Sequence, residues 1–200
     1  MARIISTPGS ESDGFTDQMS VPKAIGNIMI RPTRNTLSEN IRTQSVDLLN
    51  KHLAAVIDLQ SQAKQAHWNV QGPNFIAIHN LFDTVSGEAG NYADLIAERT
   101  RGLGGIAEGT IHLAVRRSFL VPYGLDISDE QEHVCGISAA LAAFGQSVRE
   151  ASDQSADFGD TSTADLFTEI SRGIDHQLWL VESHAEPGYI TPHRLSRFRS

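Results

Sequence analysis

Residues 74–103 read NFIAIHNLFDTVSGEAGNYADLIAERTRGL, and the fold is decided in this stretch. Apolar side chains recur at steps of three and four: Phe75, Ile78, Leu81, Phe82, Val85, Ala89, Tyr92, Leu95 and Ile96. That period marks an amphipathic helix, and Gly104-Gly105 closes it. On the same helix, His79, Asp83, Asp94 and Glu98 fall at roughly 0°, 40°, 60° and 100° around the axis. They make one narrow polar stripe of three carboxylates and one imidazole, with no lysine. A solvated face ordinarily mixes both signs of charge. Imidazole and carboxylate without thiolate suits iron or manganese, with zinc as a substitute. An exposed acidic stripe is the competing reading.

Spacing adds a constraint. Asp83 and Asp94 are about 16 Å apart along one helix, so no single metal ion bridges them. Two copies of the helix, packed antiparallel about a twofold axis, would bring His79 and Asp83 of one to Asp94 and Glu98 of the other. The axis would cross near residues 88 and 89, where the sequence is Ser86-Gly87-Glu88-Ala89-Gly90. Two glycines inside a helix cost about 1 kcal/mol each relative to alanine. Close approach of a second helix would offset that cost; a weak point in the helix is the alternative.

Working outward, Ser38 is a helix N-cap with Glu39 in the first turn. Ile41, Val46, Leu49, Leu53, Val56, Ile57 and Ala63 then carry a helix to about Val70. Gln71-Gly72-Pro73 ends it, and Asn74 caps the next. Downstream, residues 106–128 hold Gly109, Pro122 and Gly124 and read as a long crossover with room for a short helix. A third long helix follows Ser128 to about Gln154, and a fourth runs from 160–162 to about His184, before Pro187-Gly188. The expectation is an all-α chain: a ferritin-like four-helix bundle with one long crossover between its second and third long helices. A cytokine-like bundle would need two such crossovers. Residues 1–36 read as a flexible N-terminal arm, 37–185 as the bundle and 186–200 as a short basic tail.

Charge and cysteine content narrow the setting. The net charge is −8, unevenly spread: residues 1–36 hold four basic and three acidic side chains, and 186–200 hold Arg194, Arg197 and Arg199 against Glu186. The bundle region therefore carries nine basic and twenty acidic groups, a body that attracts cations and repels nucleic acid. Cys135 is the single cysteine, so no intrachain disulfide forms. With no secretory signal at the N-terminus and no apolar run long enough to span a bilayer, a cytoplasmic protein is expected.

The run Lys64-Gln65-Ala66-His67-Trp68-Asn69-Val70-Gln71-Gly72, then Asn74-Phe75-Ile76-Ala77 and His79, resembles the signature of the Dps family of miniferritins. Asp83, residues 94–99 (DLIAER) and Leu103-Gly104-Gly105 continue it in register, so the likeness spans roughly 36–185. The resemblance implies a ferroxidase in a hollow homododecamer. It would oxidise Fe(II), preferably with hydrogen peroxide, and store ferric iron against oxidative damage. It further implies that His67, His79 and Asp83 of one chain meet Asp94 and Glu98 of its partner, which agrees with the axis argument. Lys64 would pair with a site carboxylate, and Trp68 would adjoin the site as packing or as an electron donor. Asp160, Asp165 and Glu169 would line an entry pore for Fe(II), with Asp153 and Asp157 extending it. Acidic residues beginning a helix are the ordinary alternative.

A DNA-compacting, nucleoid-associated protein with minor iron chemistry is the other function to weigh. Its best candidates for phosphate contact are Arg194, Arg197 and Arg199 of the tail, too few per chain for more than weak, salt-sensitive binding. Glu130 and His133 form a lone ExxH, read as surface because di-iron bundles use two such motifs. Cys135 and Trp179 read as helix packing.

Overall fold

The structure is a computed structural model that describes residues 29–188 apart from Ser128. Most of the expected arm and tail, Arg194, Arg197 and Arg199 included, lies outside the described residues. Five helices follow in order: α1 (Glu39–Asn69), α2 (Phe75–Gly102), α3 (Ile111–Arg117), α4 (Glu130–Phe158) and α5 (Thr161–Glu182), with no strand among the described residues. The four long ones pair as α1 with α2 and α4 with α5. Further contacts of α1 with α4 and of α2 with α5 close the bundle. This is the all-α ferritin-like architecture expected from the periodicity. No described helix is long and apolar enough to cross a membrane.

The bundle holds because the apolar stripes converge. Leu49 and Leu59 from α1, Ile78, Phe82 and Ile96 from α2, Phe144 from α4 and Phe167 from α5 are all fully buried. Each such side chain contributes roughly 1.5–3 kcal/mol by leaving water. Ser38 caps α1 by accepting a hydrogen bond from the Ile41 amide at 3.3 Å. The helix α4 runs four residues past Gln154, because Ala151 and Ser155 continue its buried face. It stops at Gly159, whose φ of 87° gives the left-handed cap that glycine adopts without strain.

Polar residues of α1 grip the crossover. Asn50 donates to Ile106 O at 2.9 Å and accepts from the Glu108 amide at 3.0 Å. Arg117 at the end of α3 pairs with Asp47 at 3.0 Å and with Glu108. Gln62 donates to Val121 O at 3.0 Å. The long connection is thereby laid along α1.

Two expectations are corrected. Trp179 does not pack inside α5 but stands 61% exposed. Glu130 and His133 are not surface residues: they are 6% and 1% exposed. The reason is where α4 begins. Its first turn abuts the connection between α1 and α2, and Glu130 accepts from Asn74 N at 3.0 Å and Asn74 Nδ2 at 2.8 Å. The His133 imidazole meets the Tyr123 hydroxyl at 2.7 Å. Cys135 is buried in α4 as expected.

Candidate metal centre

The site starts from two histidines on different helices. His67 lies in the last turn of α1, and His79 is the fifth residue of α2. Each ring is bound to the other's main chain: His67 Nδ1 to His79 O and His79 Nδ1 to His67 O, both at 2.8 Å. A carbonyl oxygen only accepts, so both Nδ1 atoms carry protons. In the neutral ring the lone pair is then on Nε2, the form in which imidazole binds a metal. The rings stack with centroids 3.8 Å apart at 25°. Mutual bonding of this kind fixes tautomer and orientation before any ion arrives.

Asp83 follows His79 by one turn, on the same face. Lys64 of α1 is ion-paired with it across the helix pair. The Lys64 hydrogen bond holds the Asp83 carboxyl below the usual carboxylate range, against the opposing effect of desolvation. The field of Lys64 and of both histidines acts in the same lowering direction. The Phe75 ring lies 5.0 Å from the His79 ring, and Trp68, next to His67 in the chain, is 67% exposed. Ile76 is 65% exposed beside them in sequence. This end of the α1–α2 pair therefore presents uncovered apolar surface next to the histidines.

Asp94 and Glu98 are exposed on α2 and make no hydrogen bond or ion pair among the described residues. Within one chain they do not join the histidines. Among the described residues, no group of three or more His, Cys, Asp or Glu side chains is disposed to hold a metal ion. The chain thus brings His67, His79, Asp83 and Lys64 together and leaves Asp94 and Glu98 apart.

The two mid-helix glycines part company as well. A Cβ on Gly87 would meet nothing within 4 Å, so this position is open to an approaching helix. Gly90 faces inward instead: a Cβ there would come within 2.7 Å of Gln60 Nε2 on α1. On that side Gly90 meets α1 of the same chain, through the end of the Gln60 side chain.

Of the three expected pore residues, Asp165 and Glu169 are exposed one turn apart on α5. Asp160 is not available with them. It is 1% exposed and caps α5, accepting from Thr163 N at 3.1 Å and Thr163 Oγ1 at 2.6 Å, and it pairs with Arg99 at 2.6 Å. Burial pushes its carboxyl upward, yet the Thr163 hydrogen bonds and the Arg99 charge outweigh that and leave it below the ordinary range. Asp153 and Asp157 on α4 are exposed.

Sequence reasoning missed the mutual bonding of the two histidines and the role of Glu130 in holding Asn74. The first had no signal, because it depends on how two helix ends meet. The second left a faint one: Gly72, where a side chain would collide with the Glu130 carboxylate.

Comparison with known proteins bears on the family and the fold. The ferritin-like domain family matches residues 46–187. A protein of Agrobacterium fabrum named DNA protection during starvation protein is 40% identical over 154 residues, 77% of this chain and 95% of that one. The Mycobacterium smegmatis Dps structure superposes with a TM-score of 0.75 at 28% identity, covering 80% of this chain and 96% of its own. A Dps protein of Streptomyces coelicolor gives a TM-score of 0.76 at 27% identity, with 81% and 96% covered.

Proposed function

The chain belongs to the ferritin-like family and, within it, to the Dps proteins, and from that premise we propose that it is a ferroxidase whose site is shared between two subunits. His67, His79 and Asp83 of one subunit and Asp94 and Glu98 of its partner take up Fe(II) as substrate. Hard oxygen donors favour Fe(III) over Fe(II), so this ligand set promotes loss of an electron. Hydrogen peroxide is the preferred oxidant: two Fe(II) ions give it two electrons, and with two protons it leaves as water. Ferric product is stored inside a hollow homododecamer with an acidic interior. Manganese or zinc would occupy the same ligands without turnover.

The observation that carries this reading is the histidine pair. Two imidazoles with both Nδ1 atoms committed to main-chain carbonyls are prepared as ligands through Nε2. Packing alone would not require that each ring hold the other's backbone. The bare Asp94 and Glu98 complete the set once a second chain covers the exposed Trp68 and Ile76. Lys64 tethers the Asp83 carboxylate near the pair until an ion displaces it. Asp165 and Glu169 are the carboxylates proposed to attract Fe(II) at the entry pore.

DNA compaction remains the second function for a Dps protein. The net negative body argues against it, and its candidate arginines lie outside the described residues. We expect at most a gel shift at low salt that is lost when 186–200 are removed. Iron chemistry is tested by anaerobic titration with Fe(II) followed by peroxide, read by ferric absorbance. Stoichiometric oxidation within the mixing time supports the proposal; oxidation no faster than in buffer defeats it.

A further inference from the structure

We propose that Glu130 is a positioning residue for the histidine pair, acting from α4 through the connection between α1 and α2. The inference rests on the metal-site reading above. Each histidine ring binds the main chain on the other side of the connection, so both ring positions depend on how the end of α1 sits against the start of α2. Hydrogen bonds inside either helix cannot set that relation. The connection itself supplies little: Val70 N reaches back to Ala66 O at 2.9 Å, and Phe75 N to Gly72 O at 3.2 Å.

Glu130 supplies the rest. Its two carboxylate oxygens take the Asn74 amide N–H at 3.0 Å and the Asn74 side-chain Nδ2 at 2.8 Å. Asn74 is the N-cap of α2, yet its side chain makes no capping bond to its own helix. In a capping box, a glutamate three residues into the helix reaches back to the N-cap amide. That position here is Ala77. The glutamate comes from another helix instead, and it places a carboxylate where the α2 dipole is positive. Gly72 makes room for it, since any Cβ there would collide with the carboxylate. One turn along α4, the buried His133 ring meets the Tyr123 hydroxyl at 2.7 Å, which anchors this turn to the crossover. The first turn of α4 is therefore the template on which the connection is laid.

The same turn provides an internal control. Gln131 grips a different segment, donating to His184 O at 3.1 Å and accepting from Glu186 N at 2.8 Å. Gln131→Ala removes as many hydrogen bonds as Glu130→Ala without touching the connection. The probe is Co(II), titrated into the assembled protein and followed by visible absorption, with helix content and thermal midpoint recorded for every variant. Glu130→Ala should bind Co(II) about tenfold more weakly, at the low end of the loss that follows removal of a ligating histidine's own outer partner, because Glu130 acts one contact further out. Gln131→Ala should lower the thermal midpoint but leave Co(II) affinity at the wild-type value. Glu130→Gln retains an acceptor for Asn74 N and, once the Asn74 amide turns over, a donor for its oxygen, so it should restore binding. If Glu130→Ala does not assemble, Glu130→Asp carries the test, because it keeps the charge but withdraws the carboxylate by one methylene. Wild-type affinity in the Ala or Asp variant, equal weakening in Gln131→Ala, or no rescue by Gln would each overturn the role of Glu130. Absence of Co(II) binding in the wild type, or binding unchanged in His79→Ala, would overturn the metal-site reading itself.

Discussion

The two halves of the candidate site are built by opposite means. The histidine half is finished inside one chain: two rings stacked at 3.8 Å, each bonded to the other's backbone, with Asp83 tethered by Lys64. The carboxylate half is two exposed side chains on one helix face with no partner among the described residues. Imidazoles must be fixed in tautomer and direction to bind well, and this costs structure. Carboxylates bind through either oxygen from a range of angles and can wait in water. The difference teaches that stability and activity are separable at this site, and substitutions can show it.

The largest effect is expected from the ligands themselves. His79→Ala and Glu98→Ala should each abolish fast Fe(II) oxidation. Their stabilities should differ, because His79→Ala deletes a hydrogen bond to His67 O and a stacked ring, while Glu98→Ala deletes nothing but a solvated side chain. Thermal melts should place His79→Ala about 1–2 kcal/mol below wild type and Glu98→Ala within about 0.5 kcal/mol of it. Equal destabilisation would erase the distinction between the halves.

Lys64→Met should be intermediate. Asp83 is exposed, so its ion pair stabilises the fold little, and the melting temperature should hardly move. The pairing matters for ionisation. Removing Lys64 lets the Asp83 pKa rise back toward its ordinary value, so its protonation begins at about pH 4 instead of lower. Oxidation should slow a few-fold at pH 7 from lost orientation, and the ratio to wild type should hold down to about pH 5 and widen only as pH falls to about 4, the ordinary aspartate range. A ratio that does not change with pH would show that Lys64 does not act through Asp83.

The smallest effect on activity concerns entry. Asp165→Asn with Glu169→Gln should slow uptake at low iron, with ligands and melting temperature unchanged. Asp160→Asn should do the reverse, losing about 1–3 kcal/mol of stability because it weakens a buried cap and the Arg99 pair. Uptake kinetics at limiting iron check the first, and denaturant melts the second. Unchanged uptake in the double variant would return Asp165 and Glu169 to ordinary helix-surface residues.

What could be read from the chain alone followed from period and local chemistry. The apolar stripe of α2, the Ser38 cap and the single long crossover are local or periodic features, and they define the bundle. The stripe of His79, Asp83, Asp94 and Glu98 was legible for the same reason. What could not be read depends on which helix end meets which loop. Glu130 and His133 look like surface in a one-dimensional pattern and are buried because α4 starts against residues 72–74 and the crossover. Gly87 and Gly90 look alike in the sequence, yet Gly87 opens outward while Gly90 faces the Gln60 side chain of the same chain. Asp160 shares spacing with Asp165 and Glu169, yet a capping position and Arg99 claim it.

The most direct test of a site divided between subunits is complementation. His79→Ala and Glu98→Ala subunits, each inactive alone, are unfolded, mixed in equal amounts and reassembled. A dimer containing one of each holds one intact site, with histidines from the Glu98→Ala chain and carboxylates from the other. Random pairing about a twofold axis should restore about a quarter of the wild-type oxidation rate. Reassembled mixtures no more active than either variant alone would contradict a shared site, as would full activity in either variant before mixing.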